Sequence, residues 1–429
     1  MTNQALLAIT LFLITYALII SEKLHRTIVA MLGGILMVLL GVVTQEAAIH
    51  HIDFNTLGLL IGMMILVSIT AQTGVFKYMA IRAAKVAKGN PLHILIYLSA
   101  ITAMASALLD NVTTVLLIVP VTFSIARQLK VNPVPYLISE ILASNIGGTA
   151  TLIGDPPNIM IGSAVPELDF MAFVYNLSPI AFAVLIVTIA ILTLIYRMEL
   201  KTSPELQAKI MSLNEHDELT DITLLKKSLT ILGLTILGFA LHGVFHLESA
   251  TIALTGAFLL LLITGEHYLE EALAHVEWNT IFFFVGLFAL VSGLVETGVI
   301  AQMAEAAISW TGGDPQTTSL LILWLSAIAS AFIDNIPFVA TMIPMIHEMG
   351  TLGIKNLEPL WWSLALGACL GGNGTVIGAS ANVIVVGMAA KEGFKIGFIS
   401  FMKVAFPLMI MSILMSHLYV YLRYFMFAG

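Results

Sequence analysis

Charged residues are scarce in this chain. Asp, Glu, Lys and Arg make up 10% of its 429 residues, whereas a soluble protein carries about 25%. Hydrophobic residues account for 59% of the chain, and its mean hydropathy is +0.99. Because no water-soluble fold can hide that much apolar surface, the composition predicts a polytopic membrane protein.

Cysteine and basic residues are also in short supply. Cys369 is the single cysteine, which excludes an internal disulfide and a thiolate metal cage. The 18 basic residues are outnumbered by 26 acidic ones and are scattered along the chain, which excludes nucleic acid as a partner. We therefore expect no metal and no cofactor.

Two further absences concern enzymatic function. The sequence has no Walker A pattern and no soluble nucleotide-binding domain, so an ATP-driven pump is not expected from this chain alone. A separate ATPase subunit stays open as a partner, without support in the sequence. Because no nucleophile is accompanied by a neighbouring base, we do not expect an enzyme.

Apolar segments of membrane-spanning length recur along the chain. In the first half they cover residues 5–20, 27–43, 55–73 and 177–197, and in the second half 228–246, 250–264, 279–296 and 398–424. Each half also contains two longer apolar regions that are interrupted by polar residues, glycine or proline. These regions cover 92–126, 135–165, 316–349 and 358–391.

The two halves repeat each other at one constant offset in residue number. The segment 51–56 aligns with 275–280, and the same offset relates the pairs Asp110 and Asp334, Asn111 and Asn335, Gly147 and Gly371, and Asn158 and Asn382. An offset held without gaps over this length indicates two copies of one unit. We therefore predict a first repeat at 1–198, a hydrophilic linker at 199–227 and a second repeat at 228–429.

The repeats are predicted to have opposite orientations in the membrane. If the regions 92–126 and 316–349 are re-entrant hairpins, each half crosses five times, and an odd number inverts the second copy. With the N-terminus and C-terminus outside, 16 of the 18 basic residues fall inside, including those of the linker. The expected fold is all-α, with about 10 transmembrane helices, two re-entrant hairpins and two broken helices, in the cytoplasmic (inner) membrane with the linker in the cytoplasm.

Inverted repeats with interrupted helices are typical of secondary transporters. In such proteins the substrate and the coupling ion bind at the interruptions near the middle of the membrane. A channel is the alternative architecture.

The first group of candidate binding residues lies at the predicted hairpin tips. It comprises Asp110, Asn111 and Thr113 in the first repeat, and Asp334 and Asn335 in the second. A carboxylate at membrane depth costs at least about 2.5 kcal/mol, so it needs a function or a partner. The alternative is that each Asp only caps the helix that follows it.

The second group lies where the two broken helices are interrupted. Paired glycines and Pro156-Pro157 allow or force the backbone out of the helix, so we expect non-helical backbone at 149–155 and 373–379. Such backbone is tolerated at depth where it lines a cavity. The alternative is a packing kink with small residues. The candidate residues of this group are Asn145, Thr149, Thr151, Asp155 and Asn158, with Asn373, Thr375, Ser380 and Asn382 in the second repeat.

Three other polar residues are weaker candidates. Glu140 is expected at the membrane interface, near a helix end. His242 and His246 are spaced as a metal pair could be, but two ligands do not define a site. We therefore expect both histidines on the surface.

Three stretches carry a resemblance to a known family. The segments 106–114, 145–158 and 366–375 resemble the ArsB/NhaD branch of the ion transporter superfamily, and within it the subgroup of the melanosomal P protein. The resemblance covers nearly the whole chain. It implies a scaffold, a mobile transport unit with two re-entrant hairpins, and a homodimer that works by an elevator-like motion.

The charge at the candidate site narrows the expected substrate. The related divalent-anion and citrate transporters carry Ser-Asn-Thr at their hairpin tips, whereas this chain has Asp-Asn at both. In a low-dielectric cavity Asp110, Asp155 and Asp334 would repel a dicarboxylate by several kcal/mol. We expect proton-coupled efflux of arsenite or antimonite, with Na+/H+ antiport as the alternative. Citrate or divalent-anion transport and a channel rank below these.

Overall fold

The computed structural model describes residues 2–21, 23–265 and 268–426. The ends of the predicted repeats at residue 1 and residues 427–429 lie outside these ranges. Within the described residues the regular structure is entirely helical, as predicted. Eight of the described helices are long and apolar enough to cross a membrane, and four shorter apolar helices accompany them at 26–39, 91–106, 249–264 and 380–391.

The described residues of the first half contain ten helices. Their N-termini carry side chains that accept backbone hydrogen bonds, such as Asp53 and Asn90, or proline in the first turn, such as Pro91. The helices are α1 (Asn3–Ile20), α2 (Arg26–Leu39), α3 (Gln45–His50), α4 (Phe54–Gln72), α5 (Val75–Val86), α6 (Pro91–Ser106), α7 (Asn111–Leu129), α8 (Val134–Thr149), α9 (Pro156–Ala164) and α10 (Phe170–Tyr196).

The remaining helices repeat this order after a short helix in the linker. The described ones are α11 (Pro204–Met211), α12 (Ile222–Phe245), α13 (Ser249–Thr264), α14 (Leu269–Ala274), α15 (Trp278–Glu296), α16 (Val299–Thr311), α17 (Pro315–Phe332), α18 (Asn335–Thr351), α19 (Glu358–Gly371), α20 (Ser380–Lys391) and α21 (Phe398–Tyr421). The starts of α14 to α20 follow those of α3 to α9 at the same constant offset as the sequence repeat. The repeat found in the sequence is therefore a repeat of structure.

Helices of one half pack on helices of the other. Gly34 of α2 lies against Gly286 of α15, so closely that a Cβ atom on Gly34 would come within 2.7 Å of the Gly286 carbonyl oxygen. The equivalent contact joins Gly62 of α4 to Ala253 of α13. Small residues at both contacts allow the backbones to approach each other, as is common between membrane helices.

The equivalent helices α4 and α15 run in opposite directions. The backbone N–H of Glu277, just before α15, lies 3.4 Å from the sulfur of Met64, well along α4. His51 Nε2, just before α4, lies 3.0 Å from Oε1 of Glu296, the last residue of α15. A two-fold axis that relates the two halves makes equivalent helices antiparallel only if the axis is perpendicular to those helices. The halves are thus inverted, as the parity of the crossings predicts.

Two hairpins and two broken helices form the centre of the bundle. α6 and α7 form the first hairpin, and α17 and α18 the second. α8 with α9, and α19 with α20, are the broken crossings, and each packs against the hairpin of its own half. The predicted break at 149–155 is one residue too long, because α8 extends through Thr149. The predicted span 27–43 also ends early, at Leu39, and the chain then forms the separate helix α3.

The linker docks on the first half. Glu215, in a 3-10 turn at Glu215–Glu218, receives hydrogen bonds from Lys85 Nζ at 2.5 Å and Arg82 Nη1 at 2.8 Å. These two cations of α5 and a backbone hydrogen bond lower the pKa of Glu215 to about 2. The division of the chain at residues 198 and 227 stays a prediction.

Candidate ion-binding site

The tips of both hairpins meet at Asp155. Asn111 Nδ2 donates to Asp155 Oδ1 at 3.3 Å, and Asn335 Nδ2 donates to the same oxygen at 3.4 Å. Asp155 is buried, and its other oxygen, Oδ2, has no hydrogen-bond partner among the described residues. A buried carboxylate oxygen without a donor is costly, so this atom is suited to bind a proton or a cation.

Asn145 connects the two broken helices beside this carboxylate. Its side-chain oxygen accepts from Asn111 Nδ2 at 3.0 Å. Its Nδ2 lies 2.9 Å from the side-chain oxygens of both Asn373 and Asn382. The four asparagines are buried, and their amides form a network that crosses from one repeat to the other.

Asn158 and Asn382 stabilise the unwound segments. Asn158 Nδ2 lies within 3.3 Å of the carbonyl oxygens of residues 148, 149 and 151. Asn382 Nδ2 makes the equivalent bonds to the carbonyls of residues 372 and 375, at 2.7 and 2.9 Å. Both amides therefore satisfy backbone groups that the broken helices leave free.

The predicted threonines also bond to backbone. Thr151 Oγ1 donates to the Ala107 carbonyl, and Thr375 Oγ1 makes the equivalent bond to the Ala331 carbonyl, both at 2.5 Å. Thr149 Oγ1 donates to the Asn145 carbonyl at 2.7 Å. These hydroxyls tie the unwound segments to the hairpin tips and to α8, and none of the three lines the cavity described below.

Asp110 and Asp334 cap the helices that follow them. Asp110 accepts from the Thr113 N–H at 2.8 Å and from the Thr113 hydroxyl. Asp334 accepts from the Ile336 N–H at 3.2 Å. Both residues therefore cap helices, and capping leaves a second carboxylate oxygen of Asp334 for other partners.

Arg26 is such a partner, and the sequence analysis missed it. Arg26 Nη1 lies 2.5 Å from Asp334 Oδ2 and 2.6 Å from Ser380 Oγ. Ser380 Oγ in turn donates to Asp334 Oδ2 at 3.0 Å. A comparison of the two repeats could have identified Arg26. It is a charged residue at the edge of an apolar segment, and the residue aligned with it in the second half is the uncharged Ala250.

A cavity of about 20 Å³ lies between the hairpin tips. This volume holds about one water molecule. Asp110, Asp155 and Glu277 supply its carboxylates, and Arg26 and Ser380 also line it. Glu277 is a second residue that the sequence analysis missed, although its alignment with Asp53 in the repeat marks it as an acidic position.

The charges around this cavity nearly balance. Six helices, α2, α7, α9, α15, α18 and α20, begin at or beside residues that line this cavity, and each helix N-terminus carries about half a positive charge. Four carboxylates face them, those of Asp110, Asp155, Asp334 and Glu277, with Arg26 as the cationic side chain. If all are ionised, Arg26 and the helix N-termini together about balance the four carboxylates.

Two weaker expectations from the sequence are wrong. Glu140 is fully buried in α8 and accepts from Thr122 Oγ1 at 2.5 Å, because α8 is enclosed by other helices and has no interfacial face. His242 is buried as well, and its Nε2 accepts from the Phe170 N–H at 3.1 Å. His246 is exposed, as expected.

Comparisons with known proteins agree with a transporter. A family model described as "CitMHS: Citrate transporter" matches residues 16–367. An uncharacterized transporter of Mycobacterium tuberculosis is 43% identical over 98% of this chain and 99% of its own. The human P protein is 36% identical over 96% of this chain, which spans 59% of the P protein.

A solved structure shares the fold. The YdaH transporter of Alcanivorax borkumensis, described as having an unusual topology, superposes with a TM-score of 0.63 over 99% of both chains, at 14% sequence identity. At this identity the likeness concerns the fold alone.

Proposed function

Since this chain belongs to the CitMHS citrate transporter family of membrane proteins, we propose that it exchanges a small monovalent cation for protons at Asp155. Sodium is the cation that we would test first. The observation that carries this proposal is the buried Oδ2 of Asp155, which has no hydrogen-bond partner in the described part of the chain. A proton and a cation compete for such an oxygen, and that competition is what couples their movements.

The size of the cavity supports a bare ion. Arsenite as its trihydroxide carries three hydroxyl groups, whereas a cavity of about 20 Å³ holds one water-sized particle. The geometry therefore favours cation exchange over arsenite efflux, which is the leading expectation from the resemblance. The carboxylates of Asp110, Asp155 and Glu277, which line this cavity, favour a cation over an anion.

Citrate transport is the second candidate function. The family description names citrate, and a larger cavity of about 350 Å³ lies next to the small one. Arg26 and His25 line it, so it offers both space and a cationic group for a carboxylate. A citrate ion there would face the negative charge of Asp334, which counts against binding.

Proton movement in everted membrane vesicles tests the proposal. A pH-sensitive dye reports whether Na+, citrate or arsenite dissipates an imposed pH gradient. We expect a response to Na+ in the wild type and none in Asp155→Asn. The matched control is Asp169→Asn, because Asp169, like Asp155, occupies the N-cap position of a helix but lies outside the small cavity. A response to citrate alone would support the second candidate and contradict the first.

Three further features stay proposals. We propose that the protein lies in the inner membrane with both termini outside and the linker in the cytoplasm, and that it works as a homodimer. The excess of basic residues on one side supports the orientation. Accessibility of cysteines introduced at residues 2 and 207 to a membrane-impermeant reagent tests it.

A further inference from the structure

Arg26 links the beginning of α2 to the second hairpin. Its guanidinium contacts Asp334, which precedes α18, and Ser380, which begins α20. It also lies over the ring of Phe283 in α15, at 5.0 Å from the ring centre. The guanidinium is thus held on one side by an aromatic ring of α15. On the other side it is held by the second hairpin and by the second broken helix.

The two hairpin tips are electrically different because of this residue. Asp110 forms no ion pair in the part of the chain that the structure describes, whereas Asp334 is paired with Arg26. At the position equivalent to Arg26 the second repeat has Ala250. In the described part of the chain, the symmetry of the repeat is therefore broken where Arg26 pairs with the carboxylate of Asp334.

Arg26 also separates two cavities. It lines both the cavity of about 20 Å³ between the hairpin tips and the neighbouring cavity of about 350 Å³. Its side chain is 31% exposed, whereas that of Asp334 is 11% exposed. A cation that enters from the larger cavity therefore meets Asp334 already occupied by the guanidinium.

We propose that Arg26 is a tethered cation that competes with the transported cation for Asp334. This inference rests on the proposed cation exchange. It assigns Arg26 as a residue that sets the apparent affinity of the protein for the cation. A cation that moves from the larger cavity towards Asp155 reaches Asp334 first and must displace the guanidinium there. Its apparent affinity therefore scales with the fraction of time for which Asp334 is free. If the guanidinium occupies the carboxylate about 90% of the time, it raises the KM for the cation about tenfold.

The same residue would act in the opposite direction on an anion. A carboxylate ligand would bind to Arg26, so loss of the guanidinium would weaken its binding. The sign of the change in KM therefore distinguishes a competing cation from an anion-binding residue. A purely structural role would lower the amount of folded protein or the maximal rate without changing KM.

Transport kinetics of Arg26→Gln test the inference. In vesicles we expect its KM for Na+ to fall about tenfold relative to the wild type, with Arg26→Lys between the two. Lys23→Gln is the matched control, because it removes a positive charge three residues away that makes no ion pair in the described part of the chain. An unchanged or raised KM for Na+ in an active Arg26→Gln protein overturns the inference but leaves the proposed exchange intact.

A titratable variant covers the case in which Arg26→Gln does not fold. The imidazole of Arg26→His is cationic at low pH and neutral at high pH, and the neighbouring Asp334 carboxylate raises its pKa above the free value of about 6.5. We expect the KM for Na+ of this variant to fall more steeply with rising pH than that of the wild type. Equal pH dependence contradicts the competition, and a wild type without Na+-linked proton movement contradicts both the exchange and the inference built on it.

Discussion

Asn111 and Asn335, which occupy equivalent positions of the two repeats, donate hydrogen bonds to the same oxygen of Asp155. Asp155 itself has no acidic counterpart, because the equivalent residue is Ala379. Two symmetric arms thus converge on one asymmetric carboxylate. Both repeats thus supply an asparagine of the kind that an ion site needs, but only the first repeat supplies the central carboxylate.

This convergence predicts that Na+ is bound at one site. The dependence of transport on Na+ concentration is then hyperbolic, with a Hill coefficient of about 1. Initial rates of dye response in vesicles over a range of Na+ concentrations measure it. A Hill coefficient near 2 would indicate that each repeat carries its own ion.

The two hairpin carboxylates are expected to differ when they are neutralised. Asparagine is a good N-cap, so Asp110→Asn keeps the bond to the Thr113 N–H and leaves stability nearly unchanged. Asp334→Asn caps equally well but removes the charged partner of Arg26, which destabilises the protein by about 2 kcal/mol. Thermal unfolding in detergent measures both. Equal melting temperatures of the two variants would contradict the asymmetry of the tips.

The close packing of α8 on α6 predicts the effect of a single methyl group. A Cβ atom on Gly147 would come within 2.2 Å of the Ala103 carbonyl oxygen, so Gly147→Ala forces the helices apart and costs about 1–3 kcal/mol. Gly233→Ala, in α12, meets no atom within 4 Å and should be neutral or stabilise by up to about 1 kcal/mol. A smaller melting-temperature loss for Gly147→Ala than for Gly233→Ala would show that the contact is not tight.

The helix breaks and the relation between the two halves could be predicted from the sequence because both depend on local signals. Glycine pairs, Pro156-Pro157 and the gapless offset indicate where helices break and how the halves relate. Asp110 and Asp334 were recognised because a carboxylate is rare in an apolar segment. Each of these signals lies within a few residues of the feature that it indicates.

The partners of the carboxylates could not be predicted in the same way. Arg26 and Asp334 are 308 residues apart, and only the packing of α2 beside the second hairpin brings them together. Glu140 was misplaced for a related reason, since its burial depends on the helices that enclose α8. Local sequence identifies a carboxylate whose burial is energetically unfavourable. Tertiary packing determines which side chain pairs with it.

The linker is expected to loosen at low pH. Glu215 has a folded pKa of about 2, below its usual 4.5, so its contribution to docking is complete above about pH 4.5 and is lost as pH falls towards 2. Hydrogen-exchange protection of residues 204–218 should therefore decrease from about pH 5 to about pH 3. Glu215→Gln is the control, and a decrease of the same size in that variant would assign the effect to another group.

Proton release on Na+ binding tests the central role of Asp155 most directly. Purified protein in weakly buffered detergent solution near neutral pH is mixed with NaCl, and a pH indicator records the protons released, with choline chloride as the control for ionic strength. The account predicts that the wild type releases a proton as it binds Na+ and that Asp155→Asn releases none. Undiminished release from folded Asp155→Asn protein would contradict it.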